Sequence, residues 1–336
     1  MKKFLSMMLA SLMMATALVG CGNDAPADSA PEGDAPVEQA EGPAKEVKFT
    51  TGGVQGTYYG FGTVLAGQVN KMSDSNVTAI EGKGSQGNIE LMDMDGAQFG
   101  FVQSDVMSYA YEGTNLFPEK IDTFSTVAAL YQEQVQIVTC DPSIKTVADL
   151  KGKNVSVGTA GSGVFYNAVD VLGAYDLDIE KDIVPQYLGL GESAESLKDG
   201  KIDAAFVVAG APTVAITDLS TSKDTYLVGL DDEHVDALIA KSPYYQKAVI
   251  GADVYGMDAD TTTVAVTAVV VARDDVSSVD VFNFCASIFE NLDDVAAAHA
   301  KGKELSVETG ASITSVPYHP GAAEFFAMQG IDVPTK

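Results

Sequence analysis

Several short stretches rich in glycine and hydroxyls hold the residues of this chain best equipped to recognise a small ligand. The first reads VKFTTGGVQGTYY over residues 47–59 and brings Gly53, Thr57, Tyr58 and Tyr59 to the start of a predicted helix. A strand, a glycine loop and a helix N-terminus in that order aim free backbone N–H groups and the positive end of the helix dipole at one point, which suits a small anion. Gly82-Lys83-Gly84-Ser85-Gln86-Gly87 offers Ser85 and Gln86 in a similar setting, and Gln103 and Ser104 follow an apolar run. Gly161, Ser162 and Gly163 mark a further loop, Gly191-Glu192-Ser193 another, and Ala209, Gly210 and Pro212 a third. Ser85, Ser162 and Ser193 suit helix N-caps, and Pro212 suits the first position of a helix. Tyr131 completes the expected ligand-binding set. The chemistry is hydrogen bonding to a small anion, with Gln86, Asn88 or Gln103 available for the ligand's other polar groups.

Catalytic and metal chemistry fit these residues less well. Gly82-x-Gly84-x-x-Gly87 matches the dinucleotide fingerprint, and Asp105 stands near the distance of a ribose-binding acid, but the predicted helix after it is short. No Gly-x-Ser-x-Gly elbow surrounds Ser85 or Ser162. His234, His299 and His319 are widely separated and lack metal-ligand spacing, and His319 reads as a turn and helix-start residue. Arg273 is the only arginine and ends an apolar run at a solvated position, so no guanidinium fork is expected in the binding loops. No catalytic residue, cofactor or metal is expected.

The elements that position the loops come in a repeated order. Residues 57–72 carry Phe61, Val64, Leu65 and Val69 at helical spacing, residues 77–80 read as a strand, 88–94 as a short helix and 97–102 as a buried strand. About a hundred residues on, the order returns: strand 155–157, helix 164–172, strand 183–188, helix 191–198 and strand 204–208. Asp95-Gly96 before AQFGFV matches Asp199-Gly200 before KIDAAFVV. Two α/β units follow, each with a largely parallel sheet. The long apolar and β-branched runs 125–139 and 261–272 are placed to cross between the units and return, leaving helices 279–292 and 321–329 to complete the first. Two lobes joined by two strands make a hinge.

Lys2 and Lys3 precede an apolar segment over residues 4–19 that suits a secretory leader and is too short for a membrane span. It ends Leu18-Val19-Gly20-Cys21, which is similar to the lipobox of bacterial lipoproteins; lipidation of Cys21 would anchor the chain to a membrane. Residues 22–46 are rich in Ala, Pro, Gly, Asp and Glu and are expected to form a disordered acidic tether. The net charge of −27 argues against nucleic acid as a partner. Cys140 and Cys285 could pair in an oxidising compartment, but they lie in separate apolar segments, so buried free thiols are the expectation.

TGGVQGTYYGFG, FGFVQSD, VSVGTAGSG, SLKDGKIDAAFVVAGAPT and VPYHPGA, in that order, resemble the TAXI family, solute-binding proteins of tripartite ATP-independent periplasmic (TRAP) transporters. The resemblance implies an α/β, two-lobed type II periplasmic-binding-protein fold: lobe I over 47–134 and 268–336, lobe II over 135–267, with 1–21 a lipoprotein signal peptide. It also implies an extracytoplasmic receptor that captures a small carboxylate or amino acid such as glutamate and delivers it to TRAP permease subunits in the membrane. A secreted α/β enzyme, or a ligand-sensing lobe using the same cleft, is the other reading.

Overall fold

The computed structural model describes residues 42–44, 46–115 and 117–336; the expected leader, Cys21 and most of the expected tether lie outside them. At the near end of that tether the Ala44 N–H donates to Asp280 Oδ2 at 2.8 Å.

The first strands and helices are β1 (Val47–Thr50), α1 (Thr57–Met72), β2 (Val77–Ile80), α2 (Ser85–Asp93), β3 (Phe99–Gln103) and α3 (Ser104–Glu112). The long strand β4 (Phe124–Thr139) leads to the second set: β5 (Asn154–Ser156), α4 (Gly163–Ala174), β6 (Val184–Gln186), α5 (Leu190–Lys198) and β7 (Ala204–Ala209). Then come α6 (Val214–Ser220), β8 (Tyr226–Val228), α7 (Asp232–Lys241), β9 (Gln246–Ile250) and α8 (Ala252–Tyr255). The other long strand, β10 (Thr261–Arg273), is followed by α9 (Ser278–Phe289), α10 (Leu292–Ala298), α11 (Val307–Gly310) and α12 (Pro320–Met328).

One sheet runs β2-β1-β3-β10-β4-β7-β5-β6, with β8 added to β4 and β9 to β10. The order is a palindrome of roles: a three-stranded unit at each end and the two long strands between. Inside each unit the strands are parallel, as the βαβ order requires. The expectation of a largely parallel sheet stops there, because β10 is antiparallel to β3 and β4, and β4 to β7. Two strands that leave a unit and return must run in opposite directions, so they pair antiparallel.

Burial explains the sequence pattern. Almost every residue of β4 and most of β10 is buried, which is why both read as apolar and β-branched runs without alternation. Phe49, Phe99, Phe101 and Phe284 interlock beneath α1 and α9, with ring centroids 4.9–6.4 Å apart. Truncating one such ring to alanine costs about 3–5 kcal/mol. A separate cluster gathers Val155, Val171, Leu172, Phe206 and Val235. Along β4 the buried side chains pass from one cluster to the other between Tyr131 and Val135, and along β10 between Val266 and Ala268.

Several boundaries differ from expectation. The second helix starts at Ser85, three residues early, and a helix not expected from the sequence, α3, starts at Ser104 directly after β3. Pro212 is not a first helical residue: α6 begins at Val214 with Thr213 as N-cap, and Pro212 lies in the preceding loop after a cis peptide bond. Cys285 is buried and Cys140 half-buried, and both are free thiols. Among the described residues no helix is long and apolar enough to cross a membrane.

Candidate functional site

A cavity of about 630 Å³ opens where the loops ahead of α1, α2, α4 and α5 meet the middle of β4 and the ends of β3 and β7. The residue preceding each helix is Gly56, Gly84, Ser162 or Gly189, and none of the four helices has a side chain accepting from its first N–H groups as an N-cap normally does. At α5 Glu192 reaches back to the Gly189 N–H at 3.1 Å, which leaves the N–H groups within the first turn without a side-chain acceptor. The result is a cavity ringed by helix N-termini whose polar ends point inward.

The expected residues Gly53, Thr57, Tyr58 and Ser85 line it from one side, and Ser162, Gly163 and Ala209 from the other, with Gln103 between. The two sides already touch. Thr57 Oγ1 donates to Gly210 O at 3.0 Å, the Gly87 N–H to Gly161 O at 3.3 Å, and Gln103 Nε2 to Asn167 Oδ1 at 2.6 Å. Asn167 Nδ2 also donates to Asp105 Oδ2 at 2.9 Å, and Tyr166 OH to Gln86 Oε1 at 3.1 Å.

The hydroxyls divide into used and unused. Ser85 is not an N-cap; its Oγ accepts from the Gln103 N–H at 3.0 Å. Ser193 lies inside α5 and is not a cap either: it donates to Gly189 O and shares a bond with Ser156 Oγ, both at 2.8 Å. Ser162 is the N-cap residue of α4, yet its Oγ is buried and has no hydrogen-bond partner. It lines the cavity beside the first N–H groups of α4. Gly158, at φ +81°, lets the loop turn there; a Cβ on it would stand 2.6 Å from Ser162 Oγ.

Other expected residues lie off the cavity wall. Ser104 Oγ accepts from the Thr267 N–H and so ties α3 to β10. Tyr131 is packed edge-on to Phe61, with an unpartnered hydroxyl and Lys301 Nζ above its ring. Gln86 bonds Glu90 and Tyr166; Tyr59, Gly161, Gly210 and Pro212 border the loops without lining the cavity. Asn88, expected to be free for a ligand, uses its carboxamide on Thr50, Thr51 and Phe101 and braces β1 against β3.

Glu133 was missed by sequence reasoning and lines the cavity floor. Its Oε2 accepts from Tyr58 OH at 2.6 Å. Burial pushes its ionisation up to about 8; nearby Asp105 adds to the effect, while the Tyr58 bond and Lys301 oppose it. Burial likewise raises Asp105 to about 6, against its bonds to the Val106 N–H and Asn167. The signal for Glu133 was visible: a lone acid at the centre of a 16-residue strand otherwise free of charge. Glu81, Lys83, Gln55, Leu190 and Glu192 also line the site and stand in or beside the predicted loops.

Arg273 is remote from this lining, paired with Asp95 and Asp275 at the end of β10. His319 is the N-cap of α12 and accepts from the Gly321 N–H, and His234 stacks on Tyr175. Among the described residues no group of three His, Cys, Asp or Glu is arranged to hold a metal ion.

A model of the NMT1-like family matches residues 49–330. Among solved structures, MatC from Rhodopseudomonas palustris with bound malate is similar at 14% identity, with a TM-score of 0.54, covering 77% of this chain and 89% of that one. A protein from Bordetella bronchiseptica RB50 is similar at 16% identity, with a TM-score of 0.51, covering 84% and 89%. The alkanesulfonate-binding protein SsuA from Xanthomonas axonopodis pv. citri, bound to MOPS, matches at 13% identity with a TM-score of 0.47, covering 86% and 92%. The chain shares its mixed α/β architecture with MatC and the Bordetella protein.

Proposed function

The chain belongs to the NMT1-like family, and from that premise we propose that it is the extracytoplasmic substrate-binding protein of a TRAP transporter of the TAXI type. In this reading it captures a small carboxylate or amino acid in the cavity between two lobes, over 47–134 with 268–336 and over 135–267, and delivers it to a membrane permease. Lipid on Cys21 would hold it at the membrane surface, with residues 22–46 as the tether. The TAXI assignment is supported by the five motifs quoted above, and the family match and the fold are consistent with a binding role.

The observation that carries the ligand class is the buried, unpartnered Ser162 Oγ beside the uncapped first turn of α4. A carboxylate seated there would accept from the hydroxyl and from backbone N–H groups, in a cavity where low dielectric strengthens each bond. The sheet supports closure, since β4 and β10 are the two strands that pass between the buried clusters. Thermal unfolding with a panel of amino acids and mono- and dicarboxylates tests this. A binder should raise the unfolding temperature, be recovered chemically unchanged, and bind Ser162→Ala about ten-fold more weakly. Recovery of an altered product would favour an enzyme; affinity unchanged in Ser162→Ala would remove α4 from the site.

A further inference from the structure

Glu133 stands at the centre of β4, 2% exposed, and faces the cavity that the helix N-termini surround. Tyr58, which supplies the bond to Oε2, is itself held in place by stacking on Phe101 at 4.6 Å. Among the described residues Oε1 makes no hydrogen bond. The nearby cation, Lys301, is already joined to Glu304 at 2.6 Å. The remaining groups around Glu133 are Asp105 from α3 and the hydroxyls of Tyr58 and Tyr131. A buried carboxyl without a cation of its own is costly to ionise. The charged side chains of the lining are Glu81, Glu133, Glu192 and Lys83, an excess of acid that disfavours a dianion and favours a ligand with a cationic end.

We propose that Glu133 receives the protonated amine of the ligand, so that the solute is an α-amino acid held as a zwitterion, its carboxylate at Ser162 and the α4 N-terminus. This rests on the carboxylate reading above. The ligand-free Glu133 ionises at about 8 and carries a proton at pH 7. Pairing with an ammonium group favours the carboxylate, so the Glu133 proton leaves to solvent while the amine keeps its own. Binding at pH 7 therefore releases close to one proton per ligand.

Calorimetry at pH 7 in phosphate and in Tris, buffers of different ionisation enthalpy, counts that proton. The probes are the common L-amino acids, each against its deaminated carboxylic acid. The expected result is binding of at least one amino acid, its deaminated acid about 10- to 100-fold weaker, and a proton release that vanishes in Glu133→Gln. Ligand-free unfolding of Glu133→Gln verifies that this variant folds, and the deaminated acids test the wild-type protein independently of it. Equal affinity for an amino acid and its deaminated acid, or release that persists in Glu133→Gln, would overturn the proposal. Binding of carboxylic acids alone would overturn it and leave the carboxylate reading standing; silence from both series would overturn both.

Discussion

At the mouth of α1 the Thr57 hydroxyl donates across the cavity to Gly210 O, whereas at the mouth of α4, its counterpart in the second strand unit, the Ser162 hydroxyl has no partner. The two mouths share a topology, strand then glycine loop then helix, and occupy equivalent places about β10 and β4. Their loops differ. Gly158 turns at φ +81° with Ser162 Oγ and Val164 Cβ packed on it, while Gly53 has only Glu81 Oε1, at 4.0 Å, near the place of a Cβ. A repeated fold thus places one hydroxyl in structural service and leaves the other buried beside the cavity with an unmet hydrogen bond. Repetition supplies the ring of helix ends, and the departure from repetition marks where a ligand belongs.

One substitution breaks the two loops apart. Gly158→Ala forces an L side chain into left-handed backbone and against Ser162, and should cost about 2 kcal/mol or more in denaturant unfolding, while Gly53→Ala should cost under about 0.5 kcal/mol. Similar losses at both would mean that the loops are equivalent after all.

The pH response of the acids Glu133 and Asp105 is larger over its full range. Glu133 and Asp105 ionise at about 8 and about 6 in the fold, above their ordinary values of 4.5 and 3.8. A raised value means that the protonated form is favoured by folding. The stabilisation is fully present below the unfolded value and is lost as pH rises through the folded one, at up to about 1.4 kcal/mol per unit. Ligand-free Glu133→Gln should therefore gain stability over wild type progressively between about pH 4.5 and 8, and Asp105→Asn between about pH 4 and 6. Unfolding curves across that range check the sign; a variant that loses ground as pH rises would refute it.

Smaller effects separate the serines. Ser85→Ala leaves the buried Gln103 N–H without its acceptor and should cost about 1–3 kcal/mol of stability. Ser162→Ala removes no bond and should change ligand-free stability by under about 0.5 kcal/mol, in contrast to its effect on affinity. The smallest effect concerns Arg273→Lys, remote from the cavity, for which titration should show affinity unchanged within about two-fold.

Much of this was legible in the sequence because it depends on local pattern. Helical spacing of Phe61, Leu65 and Val69 marked α1 at its observed bounds, and the long apolar and β-branched runs marked β4 and β10 as strands. The glycine loops fell on the cavity because a strand-to-helix turn is written in adjacent residues. What was missed depends on partners distant in sequence. Nothing near Ser85, Asn88 or Ser104 says that Gln103, Thr50 and Thr267 will consume their polar groups. Pro212 looked like a helix start, yet α6 begins after Thr213, whose N–H and Oγ1 are held by Tyr255 and Gln136 from distant elements. Glu133 stood out as a charge in an apolar run, but its place on the cavity floor follows from the pairing of β4 with β7 and β10.

The central claim is that the solute sits among the helix N-termini with its carboxylate at α4. A crystal structure grown with a binding amino acid tests it most directly. The account predicts carboxylate oxygens within hydrogen-bond distance of Ser162 Oγ and the N–H groups that follow it. A solute bound outside the cavity, or held chiefly by Arg273, would contradict it.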